Sequence, residues 1–529
     1  MSDPSFVLRG AGVPLPDVIH QILSLMPMQD AARAACVSRE LLRSWRYYPE
    51  LEFSAKTLSL DERHTCVLGQ KATDIIRRID DALKNRAGIW VKRLKFELQF
   101  FHSLHAHYIN HWLDAATTPG IEELTLELPR NDKMKYRFPC KLIFDEKGCS
   151  VQSLCLKACA FFPEQGSGSF RSLKRVHFSW VHIISEESWL FLSNSPSLEQ
   201  LELGYCHEID CLRIPCTLQL LNFLRVGRCN MLQTIESDAP NLSAFHYEGP
   251  IIQFSLGDSL QLKDVNISIY PWFNLFDYAR KELPTIAPNV ETLFLMSANE
   301  VEAFYPFIMV PHGKFLHLKF LELAIVGPRT EFGFQFEFYS LATFLNASPV
   351  LETFILHVES GKQRTYLDVD PSKLKKLPKH CHWNIKNVTV TGFCPIQYLV
   401  ELILYILENA VSLQCLTLDN SIRGFEKGLV ARVSQDTRTR DYREWRKNFG
   451  DKEELLRIQR RPRPHRYWEP FLSHLAIKKY ILGRVPSSVE LKILGAPPDE
   501  AVACKIVPSQ RLQLSLKGRF GSRHTVVSQ

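Results

Sequence analysis

Histidines, cysteines and an arginine cluster are the residues of this chain with spacing that could do chemistry. His102, His105, His107 and His111 form the densest histidine group. On a helix His107 and His111 share a face at i, i+4, a spacing metals use. The glutamate of an H-E-x-x-H site is missing, however, so a solvated polar helix face is the favoured reading. Cys155/Cys159 and Cys206, His207, Cys211, Cys216 fall in or just after strand-like stretches. There a thiol reads as a small buried apolar group, and no CxxC pair recurs at zinc spacing. Gly166-Ser-Gly-Ser169 lacks the G-x-S-x-G spacing of a hydrolase elbow, and no phosphate-cradling G-x-x-x-x-G-K-[ST] occurs. Arg460, Arg461, Arg463 and Arg466, with Tyr442, Trp445, Tyr467 and Trp468 interleaved, would suit stacking on a single-stranded nucleic acid. With no nucleic-acid fold around them, they read as a solvated loop or an import signal. These residues imply no catalytic centre, cofactor or metal.

The elements behind them carry more information. The chain has 529 residues, 45% hydrophobic and 23% charged, which suits a small domain and a larger repetitive body. No run approaches the ~18 apolar residues of a membrane span, and the N-terminal MSDPSFVLRG lacks the pattern of a secretory signal. The expectation is a soluble protein of the cytoplasm, the nucleus or both. The net charge of +7 is concentrated late: residues 421–529 hold 23 Lys/Arg against 11 Asp/Glu. The basic excess belongs to the tail, not to the fold.

From Val91 onward one phrase recurs: apolar, two residues, apolar, one residue, apolar. It runs Val91/Leu94/Phe96, Ile121/Leu124/Leu126, Val151/Leu154/Leu156, Leu173/Val176/Phe178, Leu198/Leu201/Leu203 and Leu221/Leu224/Val226. Weaker copies at Leu242/Phe245/Tyr247 and Leu262/Val265/Ile267 precede Val290/Leu293/Leu295, Leu318/Leu321/Leu323, Leu351/Phe354/Leu356, Ile385/Val388/Val390 and Leu413/Leu416/Leu418. Middle residues sit 20 to 34 apart, against a period of roughly 20–29 for leucine-rich repeats. Each copy predicts a short strand and a returning helical or irregular limb, which bury their apolar faces only by stacking on neighbours. Strand alternation sends the phrase residues inward and those between them outward. The fold class is therefore α/β, a leucine-rich-repeat solenoid with a curved parallel sheet.

Ahead of the repeats, Val18, Ile19, Ile22, Leu23 and Met26 recur at helical spacing until Pro27 stops the helix. Asp30 opens a second short helix, and Ser38 can cap a third carrying Leu41, Leu42 and Trp45. Three helices in so few residues cannot bury all these side chains against one another, which leaves apolar surface for a partner.

The order Leu15-Pro16-Asp17, Ile19, Ile22-Leu23, Ala35-Cys36-Val37-Ser38-Arg39 and Trp45 resembles an F-box. From Leu377 the chain resembles the FBD-type segment closing many plant F-box/leucine-rich-repeat proteins. The Ile385–Val390 strand, the Gly392-Phe393 turn, the Leu399–Asn409 helix and the Leu413–Leu418 strand carry that likeness. Later stretches, His474–Gly483 as a helix and Val485–Ile493 as a strand, also look like family endings. The domains expected are an F-box (13–53), a linker segment (54–89), leucine-rich repeats (90–376) and FBD-like terminal repeats (377–420). A basic insertion (421–470), a closing helix and strand (471–494) and a polar tail (495–529) follow. Within the linker, Leu58–Leu60 reads as a short strand and Thr73–Asn85 as a helix.

The resemblance implies a non-catalytic substrate adaptor of a cullin-based ubiquitin ligase. Leu15, Pro16, Ile19, Ile22, Leu23, Val37 and Trp45 would dock on a Skp-type linker, and through it on a cullin. The outward strand positions would hold a target protein that the sequence does not name. Glu127, Lys157, His177, Glu202, Asn266, Phe294, Met296 and Glu322 are the target-binding candidates, their mixed charge with an apolar spot suiting a protein better than an anionic polymer. The alternative is a repeat scaffold or receptor that binds a protein partner without a ligase.

Overall fold

A computed structural model of the chain describes residues 15–60, 70–84, 91–101, 104–116, 120–130, 136–144, 150–163, 170–257, 260–269, 275–298, 313–326, 341–359, 379–394, 396–420 and 473–495. The chain divides into two compact units, residues 1–262 and 263–529. The basic insertion and the polar tail lie outside the described residues.

The first unit opens with α1 (Leu15–Ser24), α2 (Met28–Ala35) and α3 (Arg39–Trp45). Pro27 separates the first two. Ser38 caps the third, its Oγ accepting from the Leu41 N–H at 3.1 Å. Then come β1 (Glu50–Phe53), α4 (Gln70–Lys84), β2 (Arg93–Glu97), α5 (Ala106–Ala116), β3 (Glu123–Glu127), β4 (Tyr136–Arg137), α6 (Cys140–Ile143), β5 (Ser153–Lys157), β6 (Cys159–Ala160), β7 (Arg175–Ser179) and α7 (Ser185–Ser193). The unit closes with β8 (Gln200–Gly204), β9 (Cys211–Ile214), β10 (Phe223–Gly227), β11 (Thr234–Ser237), β12 (Ala244–Gly249) and β13 (Gln253–Ser255). Strands β1, β2, β3, β5, β7, β8, β10 and β12 pair in that order, all parallel and in register at the phrase positions. Their phrase residues are buried and the residues between them mostly half-buried, the alternation the sequence pattern predicts.

Two details differ from the sequence reading. The sheet starts at β1, inside the stretch assigned to the F-box, whereas Leu58–Leu60 forms no strand. Thr57 prevents one: its Oγ1 donates to the Glu52 carbonyl and accepts from the Ser54 N–H, closing a local turn. The second difference is in the returning limbs. Leu201, Leu224, Phe245 and Val265 follow one another at 20 to 23 residues, too few for a helix in each connection. The limbs there are instead strands β9, β11 and β13, which alternate buried and exposed residues and pair in parallel among themselves.

The second unit contains β14 (Asp264–Ile269), α8 (Leu275–Ile286), β15 (Thr292–Ala298), β16 (Phe320–Val326), α9 (Ala342–Ala347), β17 (Thr353–Glu359), β18 (Asn387–Thr391), α10 (Gln397–Asn409), β19 (Cys415–Asp419) and β20 (Glu490–Leu494). Strands β14 through β20 pair consecutively and in parallel. Helix α10 buries Leu399, Leu402, Ile403, Ile406 and Leu407, as its spacing implies. Gly392 ends β18 at φ +70°, where an added Cβ would collide with the Val358 carbonyl, so the turn requires glycine.

Candidate functional site

The three N-terminal helices enclose a small core of Leu23, Ala31 and Tyr48, against which Ile19, Met26, Met28, Ala34, Leu41 and Trp45 pack. Tyr48 ties it together: its hydroxyl donates to the Met26 carbonyl at 2.8 Å, and its ring lies 5.1 Å from Trp45. That core takes Leu23 out of reach of a partner, at 1% exposed, whereas Trp45 packs against it and is half-buried. Ile22 is 53% exposed and Val37 80% exposed, joined by Leu25 at 87%. Val18, Leu42 and Tyr47 are exposed as well. Leu15 and Pro16 open α1, but their side chains lie outside the described set. Ile19 is half-buried at the edge of the core.

On the outward strand positions of the first unit, His177 Nδ1 and Glu202 Oε2 are 3.3 Å apart on neighbouring strands. Burial pushes the Glu202 carboxyl up, but the hydrogen bond and charge of His177, with Arg225 and His246, outweigh it and hold the group below the usual carboxylate range. Glu127 is half-buried and accepts from the Gln99 amide. Lys157, its register partner, is buried.

In the second unit Asn266, Phe294 and Glu322 are register neighbours. Asn266 is half-buried, but Phe294 and Glu322 are buried, not open to a target. Phe294 packs with Ala324 and the partly buried Met296 in a cluster of its own. Glu322 Oε1 meets His357 Nε2 at 2.8 Å, and His357 Nδ1 meets Thr391 Oγ1 at 2.7 Å. Strands with apolar residues on both faces are dehydrated on both, and the polar groups among them must hydrogen-bond to each other.

His105, His107 and His111 are exposed on or beside α5, and His102 lies outside the described residues. Among the described residues no three His, Cys, Asp or Glu side chains could hold a metal ion together. Cys159 and Cys206 are buried, Cys155 and Cys211 half-buried, and Cys216 exposed.

One set of residues escaped the sequence reading. Ala158, Trp180, Tyr205 and Arg228 each follow a strand directly, and all four have φ near +56°. This left-handed conformation is an outlier for bulky side chains, at a cost of about 1–3 kcal/mol each. It shifts the strand alternation by one. Continued extension would turn Trp180, Tyr205 and Arg228 inward; instead Cys159, Val181, Cys206 and Cys229 take the buried places. The ladder survives the shift, with the Trp180 and Tyr205 N–H groups donating to the Gly204 and Gly227 carbonyls. Trp180 and Tyr205 stack at 4.3 Å and 9°, Arg130 lies 4.7 Å from the Trp180 ring, and Arg228 lies 5.6 Å from the Tyr205 ring. The available signal was a cysteine three residues beyond the last phrase position, in Leu156-Lys-Ala-Cys159, Leu203-Gly-Tyr-Cys206 and Val226-Gly-Arg-Cys229.

The strand phrase thus recurs through both units, and residues 82–497 match the leucine-rich-repeat domain described as At1g61320/AtMIF1. The chain belongs to this leucine-rich-repeat family. It is similar to two Arabidopsis thaliana proteins. Identity to F-box/LRR-repeat protein At5g02910 is 26% over 48% of this chain and 52% of that one. Identity to F-box/FBD/LRR-repeat protein At1g13570 is 23% over 77% of this chain and 89% of that one. The chain spans about half the length of the first relative. These likenesses set this leucine-rich-repeat chain among plant F-box proteins with an FBD-like close. No helix of the described residues is long and apolar enough to cross a membrane.

Proposed function

We propose that the chain is a substrate-recognition adaptor of a cullin-based ubiquitin ligase. The observation that carries this reading is the apolar surface of the N-terminal helices. Their core is complete with Leu23, Ala31 and Tyr48, yet Ile22, Leu25 and Val37 remain exposed. Exposed apolar side chains grouped on one short helical segment suit a protein partner. The F-box resemblance of residues 13–53 and the names of the relatives make a Skp-type linker, and through it a cullin, the partner proposed. The repeats then hold a target protein, and the chain acts without catalysis of its own by raising the target's concentration near the transferring enzyme.

The test is capture of a plant Skp-type linker by the full chain. Because Ile22 and Val37 contribute little to the chain's own core, Ile22→Asp with Val37→Asp leaves the melting temperature unchanged. It lowers linker capture by at least about tenfold. Undiminished capture by that variant overturns the proposal.

A further inference from the structure

Stacking Trp180 on Tyr205 covers the negative ring faces that meet each other. Ring edges carry partial positive charge. The groups around the stack add hydrogen-bond donors. Besides Arg130 over Trp180, Arg137 lies 4.6 Å from the Phe162 ring, and Phe162 meets His182 edge-on at 5.8 Å. Neither of these two guanidinium groups has a carboxylate partner among the described residues, nor has the Trp180 indole N–H an acceptor there. Among the described residues Glu248 pairs with Arg228 at 2.7 Å, and Glu208 Oε1 lies 2.7 Å from His182 Nδ1. Among the described residues, this edge of the first unit thus carries two guanidinium groups held against aromatic rings without a carboxylate partner.

The residues just before the stack add room. Ser179, Gly204 and Gly227 are register partners on three adjacent strands. A Cβ placed on Gly204 or Gly227 would have nothing closer than 3.8 Å. The chain's own packing therefore does not demand glycine there, and the space permits close approach of another backbone.

We propose that this edge binds an acidic peptide segment of the target protein. Arg130 and Arg137 take its carboxylates, the Trp180 indole N–H adds a donor, and its backbone lies over Gly204 and Gly227. Carboxylate is the complementary chemistry, because a guanidinium held by a ring keeps its N–H fork available for bidentate contact. The inference rests on the adaptor reading for its biological setting, but the surface is testable apart from it.

The probe is a short fluorescent Glu/Gly peptide, with its Gln/Gly counterpart as control, titrated into the full chain by anisotropy. The Glu/Gly peptide binds, added salt weakens it, and the control does not bind. Arg130→Gln with Arg137→Gln weakens binding roughly tenfold. Trp180→Phe, which keeps a ring in the stack and removes the indole N–H, weakens it about two- to threefold. Thermal melts show each variant folded. Equal binding of both peptides, no binding of the Glu/Gly peptide, undiminished binding by the double arginine variant, or displacement by a single-stranded oligonucleotide at lower concentration each overturns the inference. Linker capture is measured on the same preparation. A chain that captures the linker but ignores the acidic peptide loses this inference alone. One that binds the peptide but not the linker supports it and loses the adaptor reading.

Discussion

The same phrase builds the strands of both units, yet their outward positions differ. In the first unit the central outward residues, such as Thr125, His177, Glu202 and Arg225, are half-buried and polar. In the second, Phe294, Glu322, Ala324 and His357 on the corresponding face are buried. The spaced leucines specify only the inward side of a strand. Whether the other side stays open depends on the intervening residues, which are mostly charged, small or polar in one unit and include Phe294, Met296 and Ala324 in the other. An open face is available to bind, and a closed one contributes to stability.

The comparison breaks most readily at Phe294. Phe294→Ala removes a buried ring from the Ala324 and Met296 cluster and costs about 3–5 kcal/mol. Trp180→Ala in the first unit removes a half-exposed ring and its stacking, at about 1 kcal/mol. Hydrogen exchange followed peptide by peptide reads the two units separately. Equal loss of protection around β15 and β7 would show that the two faces are not energetically distinct.

How much of this was legible beforehand follows from what each residue answers to. The inward residues answer to a period, so Leu94 through Leu418 and the helix of Leu399 to Leu407 were readable from spacing alone. Leu23 and Trp45 carried F-box positions, but the same side chains also had to close the helices' own small core, and spacing does not divide those tasks. Phe294 and Glu322 occupy outward places by alternation; their burial depends on tertiary surroundings that no local pattern encodes. The Trp180–Tyr205 stack depends on a left-handed residue after each strand. Backbone of that kind usually announces itself by glycine, and here alanine, tryptophan, tyrosine and arginine hold it.

Acid should separate the units next. In the second unit, burial and then the neighbouring His380 lower His382 to about 4, and its Nε2 lies 3.1 Å from the Tyr405 hydroxyl. The folded state therefore favours the neutral ring. Its contribution is complete above an unfolded value of about 6.5 and is lost as pH falls towards about 4. After allowance for solvent screening the loss reaches about 2 kcal/mol. In the first unit Glu202 is held below its ordinary 4.5, so its contribution is present above that value and fades only below it. Exchange protection measured against pH should decline first around β18 and α10. His382→Gln should abolish that early decline and leave the later one around β8. Simultaneous decline in both regions would contradict the assignment.

The smallest effect is expected at Gly204, and it sharpens the contrast because Gly392 is its opposite. Gly392 has a left-handed backbone and a carbonyl where a Cβ would go; Gly204 has neither, its nearest atoms being the Phe178 carbonyl oxygen and Ser179 Oγ at 3.8 Å. Gly204→Ala restricts the unfolded chain without straining the folded one, so stability changes by no more than about 0.5–1 kcal/mol, in the stabilising direction. A residue that the fold tolerates losing, on a face that is open, is where a requirement for glycine would come from a bound partner. Gly204→Ala should therefore melt at or slightly above the parent temperature while binding the Glu/Gly peptide more weakly. A destabilised variant would instead make Gly204 a structural residue like Gly392, and the open face of the first unit would lose its floor.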